Sequence, residues 1–112
     1  MRERTKATQI PTRVKIAVAN RDEVMNFPAC VLCKRHAPME NPYAWSNAHF
    51  ISRAAGGLGG NEKNIVTLCP ECHRLYDHSS KRMEIRRTLR DYLMSKYPGE
   101  WNASDLYYVK GE

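Results

Sequence analysis

Two cysteine pairs of identical spacing, Cys30-Val31-Leu32-Cys33 and Cys69-Pro70-Glu71-Cys72, constrain this chain more than any other feature. Two intervening residues let one tight turn present both sulfurs to a single ion, so the pairs together supply the four ligands of a closed tetrahedral site. The chain holds 4 cysteines, and these pairs use them all. The competing reading, buried or redox-active thiols, lacks a thioredoxin-like context around either pair. Zinc is the expected metal, and its role is structural, because a closed shell of four thiolates leaves no position for a substrate. Size gives the staple its importance. At 112 residues, 42% of them hydrophobic, the chain makes a single domain whose core is thin unless a metal or cross-link helps. The opening Met1-Arg2-Glu3-Arg4-Thr5-Lys6 is too charged to begin a signal peptide, and no apolar run approaches membrane-spanning length. A cytoplasmic protein is therefore expected, and in a reducing compartment paired thiols bind metal rather than oxidise.

A formal net charge of +6 favours polyanionic partners, nucleic acid first among them. Charge alone equally describes a small protein kept soluble, so the motifs must decide.

Residues 1–11 alternate in charge and read as a mobile arm. The pattern after Pro11 predicts a helix with Val14, Ala17, Val18 and Met25 on one face, Thr12 as its cap and Phe27-Pro28 as its end. Loop chemistry follows from Cys30 to Asn47. Two strands are predicted, around His49-Phe50-Ile51 and Ile65-Val66-Thr67-Leu68, joined by a long loop containing Gly56-Gly57-Leu58-Gly59-Gly60. A short helix from about Glu71 to about Asp77 begins on Pro70. A longer one from Lys81 to Tyr97 carries Ile85, Leu89, Tyr92 and Leu93 on one face and Arg82, Arg86 and Arg90 on another, and Pro98-Gly99 stops it. The arginines suit either a solvated face or contacts to a phosphate backbone. Trp101, Tyr107 and Tyr108 read as residues that pack the tail onto the core, with stacking on bases as the lesser alternative. The organisation expected is an arm and helix over 1–27, a metal-bound core over 28–80, and a basic amphipathic helix with tail over 81–112, all one domain.

Between the cysteine pairs the chain reads Asn47-Ala48-His49-Phe50-Ile51-Ser52-Arg53, a glycine loop, and Asn64-Ile65-Val66-Thr67-Leu68-Cys69-Pro70-Glu71-Cys72-His73. In this ordered set of features the sequence resembles the HNH endonuclease family, over Cys30 to about His78, and its wording is similar to short HNH proteins of bacteriophages and prophages. The resemblance implies an α+β fold: a ββα-metal, treble-clef-like domain with a structural four-cysteine zinc site, here flanked by N- and C-terminal helices. It implies phosphodiester hydrolysis in DNA, duplex first and RNA as the alternative, assisted by Mg2+ or another divalent cation in a bacterial host's cytoplasm. His49 matches the family's general base, which needs a near-neutral pKa and a fixed ring. Asn64 matches the residue that braces the loop and helps orient that histidine, and His73 matches a metal ligand on the helix.

Helix geometry supports the division independently. Adjacent Cys72 and His73 point about 100° apart, so if one faces zinc the other faces elsewhere. Asp77, four residues on, shares the face of His73 and matches a second helical ligand of related colicin-type nucleases, whereas His78 is rotated away. His36 reads as a loop residue and not a zinc ligand, and Arg53 as either a phosphate contact or a surface charge. One departure stands out. The residue before the base is usually an acid or histidine that binds the ion, and here it is Ala48. Either His73 and Asp77 hold the cation with water and phosphate oxygens, or Asn47 helps, or part of the activity is lost. On this reading an acid restored at position 48 strengthens cation binding. Two rivals follow from the same departure: a non-catalytic zinc module that binds DNA or protein, and a phage assembly component with a protein partner.

Overall fold

A computed structural model describes residues 3–109 of the chain. Its elements run α1 (Glu3–Thr8), α2 (Thr12–Arg21), β1 (Glu23–Val24), β2 (Phe27–Pro28), β3 (Ala48–His49), β4 (Ile65–Val66), α3 (Pro70–His78) and α4 (Arg82–Lys96), with 3-10 turns at Glu62–Asn64 and Ala103–Leu106. The fold is α+β, with two separate antiparallel strand pairs, β1 with β2 and β3 with β4.

The β3–β4 pair organises the molecule. Ala48 faces Val66 and His49 faces Ile65 across it. Because side chains alternate along a strand, Ala48 and Val66 enter the main core with Phe50, Leu68, Tyr76, Leu89 and Leu93. Ile65 takes the opposite face and packs with Val14 and Val18 of α2 and with Ile10. His49 thus shares a face with Ile65, the face that α1 and α2 cover.

Helix α3 starts where the sequence says it should. Pro70 is its first residue, and Cys69 caps it, its sulfur accepting from the Cys72 amide at 3.4 Å. Tyr76 is buried, and its hydroxyl donates to the Phe50 carbonyl at 2.7 Å, locking the helix to the strand beside it. Helix α4 buries Leu89 and Leu93, four residues apart, with Ile85 and Tyr92 packed against the same core.

A buried charge pair that sequence reading did not anticipate ties the outer layer on. The Asp22 carboxylate has no exposed side-chain surface and accepts from Arg21, from the Tyr92 hydroxyl at 2.6 Å and from the Thr67 amide at 2.9 Å. Arg21 in turn donates to the Glu62 and Ile65 carbonyls at 2.9 and 2.7 Å and lies against the rings of Tyr92 and Tyr97. Helix α2, strand β4 and helix α4 meet at this pair.

Several expectations need correction. Residues 3–8 are helical, and Thr8 is buried, so the described part of the presumed mobile arm is a docked segment; Met1 and Arg2 lie outside the described residues. Helix α2 ends at Arg21, not at Phe27-Pro28, because Asp22 turns its side chain to the Thr67 amide. Thr12 is the first helical residue and not a capping one. Met25 and Asn26, with φ of 53° and 68°, form the two-residue turn of the β1–β2 hairpin, so Met25 is exposed and on no helix face. Regular pairing of the second hairpin is shorter than predicted, because the Ile51 amide is taken by the Asn64 side chain instead of a facing strand.

Candidate active site

Two constellations emerge, and adjacent residues of α3, Cys72 and His73, belong one to each. In the first, the Sγ atoms of Cys30, Cys33, Cys69 and Cys72 all lie within 4.8 Å of one another. Cys33 and Cys69 are 3.7 Å apart, close to the edge of a tetrahedron with ~2.3 Å metal–sulfur arms. The two knuckles are brought together by a single backbone bond: Val31 N donates to Thr67 O at 2.9 Å, which lays the first turn against the segment leading into Cys69. Lys34 closes the first knuckle with φ of 67°, its ammonium donating to the Val31 carbonyl at 2.7 Å. Burial pushes the Cys69 thiol up, but the Cys72 amide, the neighbouring sulfurs and Arg35 outweigh it and hold it down to about 7. Burial, then the adjoining cysteines, push Cys72 up, and Cys33 moves upward for the same leading reason. Four sulfurs this close cannot all be thiolates without a cation among them, so the donor set fits one metal ion, and its all-sulfur chemistry suits zinc. His36 stays outside this cluster, its Nε2 bonded to the Val24 carbonyl at 2.7 Å.

The second constellation lines an open cleft of about 770 Å³, whose walls include His49, His73 and Asp77 together with Lys15, Arg53 and Arg82. His73 Nε2 and Asp77 Oδ2 are 3.2 Å apart on one face of α3, and both side chains are partly exposed. Ligands adjacent on an ion with ~2.1 Å arms lie about 3 Å apart, so this pair fits two positions of a divalent cation's shell. Among the described residues no third His, Cys, Asp or Glu ligand atom joins this pair in a close group; the cysteines form the one such group of three or more. His78 also lines the cleft, nearer than its rotation along the helix suggested.

His49 is half-buried, and its Nε2 lies 2.8 Å from the Thr8 carbonyl. A carbonyl only accepts, so Nε2 carries the proton and, in the neutral ring, the lone pair is on Nδ1. Burial holds the His49 pKa below its ordinary 6.5; the Thr8 bond opposes that, and Arg53 and His73 add to it. The ring is therefore neutral at physiological pH, the state a proton acceptor needs.

Asn64 has no exposed surface and binds the glycine loop at its entrance and its middle: its Oδ1 accepts from Ile51 N at 2.7 Å, and its Nδ2 donates to Ile51 O at 3.2 Å and to Leu58 O at 3.0 Å. Gly57 permits this closure, since a Cβ there would sit 1.7 Å from the Ile51 carbonyl oxygen. The tail holds the loop from outside, with Leu58 N donating to Leu106 O at 2.8 Å and Tyr108 N to Gly56 O at 2.7 Å. Trp101 joins in from the core side, its Nε1 on the Lys63 carbonyl and its ring edge-on to Phe50.

Two expectations about this site change. Ala48 is fully enclosed in the core and does not line the cleft, whereas Asn47 does, so strand alternation gives an acid at position 48 no open route to the ion. The arginine row of α4 is not one solvated face either. Arg82 lies over the Tyr76 ring at 4.7 Å and reaches the cleft, Arg86 lies over Phe50 at 5.0 Å, and Arg90 pairs with Asp91. Sequence reading missed Thr8, Gln9, Ile10 and Lys15 as cleft residues. No motif marks them, because what Thr8 offers His49 is a main-chain carbonyl.

The class these features define is a small α+β domain with a four-cysteine cluster that fits a metal ion and a histidine cleft that shares one helix with it. Comparison with protein families finds a match over this region: residues 30–79 match the HNH endonuclease family model. The matched stretch takes in both cysteine pairs, His49, Asn64 and His73, and is less than half of the 112 residues. No curated protein and no solved structure matched the chain. No helix among the described residues is long and apolar enough to cross a membrane.

Proposed function

We propose that the protein is a metal-dependent endonuclease that hydrolyses phosphodiester bonds in DNA. The observation that carries the reading is convergence: His49 from β3 and His73 and Asp77 from α3 meet at one cleft of the HNH domain, with the thiol cluster elsewhere. In this reading His49 Nδ1 accepts a proton from the attacking water while Nε2 stays on the Thr8 carbonyl, so the ring turns cationic without moving. Lys15, Arg53 and Arg82 give the cleft a positive rim suited to the phosphates on either side of the scissile bond. Asn64 is a positioning residue, fixing the loop that carries Ser52 and Arg53. His73 and Asp77 would hold the divalent cation, which when bound neutralises charge on the phosphate oxygens.

A second reading, a non-catalytic module that binds DNA through the same cleft, is favoured by the enclosed Ala48 and the two-donor ion site. Supercoiled plasmid incubated with purified protein, with magnesium, manganese or nickel varied and a chelator control, separates the two. The nuclease reading expects cation-dependent nicking or linearisation, lost by roughly a hundredfold to ten-thousandfold in His49→Ala with metal content and DNA affinity kept. In His73→Ala the cation requirement shifts. Binding without cleavage under every cation establishes the second reading.

A further inference from the structure

The N-terminal segment lies outside the matched HNH region, yet the bond that fixes the His49 ring comes from it. Residues 3–10 reach the site through three attachments. Gly59 N donates to Ala7 O at 3.0 Å. Ile10 packs against Val14, Val18 and Ile65. Thr8 is buried, with its hydroxyl on the Thr5 carbonyl at 3.1 Å and its own carbonyl turned to His49 Nε2 at 2.8 Å. The fit at the loop leaves no spare room: a Cβ on Gly59 would sit 2.1 Å from Gln9 O, 2.3 Å from Gln9 C and 2.5 Å from Thr8 O. Thr8, Gln9 and Ile10 also form one wall of the cleft.

From this geometry we infer that the N-terminal segment is a working part of the site, with the Thr8 carbonyl as the positioning group that holds His49 with Nε2 protonated and Nδ1 free to take a proton. The role of the segment rests on the nuclease reading, but the hydrogen bond does not. An isolated HNH core would leave the His49 ring free to rotate and to place its proton on either nitrogen. The docked segment removes both freedoms before substrate arrives, and it does so with a backbone atom that side-chain substitution cannot delete. Activity therefore depends on whether residues 3–10 are seated, which makes the segment a point at which a change outside the HNH core reaches the chemistry.

Two variants of the full chain test this. Gly59→Ala drives a methyl group into Gln9 and unseats the segment. A Thr8–Gln9 ester, introduced by ligating a synthetic 1–29 segment to the rest of the chain at Cys30, weakens the Thr8 carbonyl as an acceptor and adds no bulk. Zinc content and circular dichroism establish that each is folded. The first readout is NMR of the imidazole at a pH where the ring is neutral. The parent shows a His49 Nε2–H proton slow to exchange with solvent, and both variants exchange it roughly tenfold faster or more. The second is cleavage: kcat falls about tenfold to a hundredfold with KM little changed, as for a misplaced reacting group. Unchanged exchange in both folded variants, or faster exchange with the parental kcat, overturns the inference, and so does a parent without a protected Nε2–H. A protected proton lost in the variants, in a parent that cuts no DNA under any cation, upholds the hydrogen bond and sinks the nuclease reading instead.

Discussion

The thiol cluster and the histidine cleft share helix α3, through adjacent Cys72 and His73, and differ in how many donors each assembles and how much solvent each admits. The cluster gathers four sulfurs from two turns joined by the Val31–Thr67 backbone bond, and Cys30 and Cys69 are fully buried. The cleft brings together one imidazole and one carboxylate, the pair proposed to hold a cation, leaves both partly exposed, and has Lys15, Arg53 and Arg82 in its walls. A shell completed by the protein holds structure; a shell the protein leaves half open has room for water and phosphate. The difference also bears on folding. The cluster joins distant parts of the chain, whereas His73 and Asp77 are one helical turn apart and cross-link nothing.

The comparison is broken first by taking away the metal of the thiol cluster. The expected content is about one zinc per chain, and structural zinc in such sites is bound by about 10–16 kcal/mol, comparable with the whole net stability of about 5–15 kcal/mol that a domain holds. Cys69→Ser, or stripping with a strong chelator, should therefore abolish the folded circular dichroism spectrum. Emptying the cleft of its cation should leave that spectrum intact. A folded, reduced and zinc-free protein by elemental analysis would remove the cluster's structural role.

Next in size is the buried pair that holds the outer helices. Asp22→Ala leaves the Arg21 guanidinium without its carboxylate and the Thr67 amide and Tyr92 hydroxyl without an acceptor. Loss of one partner of a buried pair costs about 3–5 kcal/mol, readable by urea unfolding with zinc retained. A loss below about 1 kcal/mol would show that water replaces the carboxylate.

Ala48→Asp sharpens the difference between the cleft and the core beside it. With Ala48 enclosed, a new carboxylate is buried among apolar side chains. Stability should fall by about 1–3 kcal/mol, with no reduction in the cation concentration needed for cleavage. A lower cation requirement in a folded variant would put position 48 on the ion after all.

The smallest expected effect is in the pH profile. In the proposed hydrolysis the working form of His49 is the neutral ring, so protonation should remove activity and the rate should fall on the acid side. Burial leads the causes that hold its pKa below 6.5, so that limb should have its midpoint below pH 6.5. A midpoint above 6.5, measured with saturating cation, would contradict the half-buried environment described for the ring.

How much of this was legible varies with the physics of each contact. The cysteine spacing, the Pro70 helix start, the α4 apolar stripe and the long glycine loop are local patterns, and each recurs in the structure. The His73–Asp77 pair was legible for the same reason, since a four-residue step on a helix brings side chains together wherever the helix lies. The Arg21–Asp22 network was not, because two adjacent charged residues at a helix end look solvated until Thr67 and Tyr92 arrive from far along the chain. Nor was the fate of Met25, since two positive-φ residues in a tight turn need neither glycine nor proline to announce them.

By itself the sequence determined the α+β class, the four-sulfur site and the order of the residues that face the cleft, because ligand spacing and periodicity act over a few residues at a time. Only the tertiary structure decided that Ala48 points inward while His49 points to the N-terminal segment. It alone decided that Asn64 ties the glycine loop at Ile51 and Leu58, and that a carbonyl from residue 8 sets the proton on residue 49. Those outcomes rest on main-chain atoms and on which face of a two-residue strand is covered, and the main chain offers the same donor and acceptor at every non-proline position until folding selects among them.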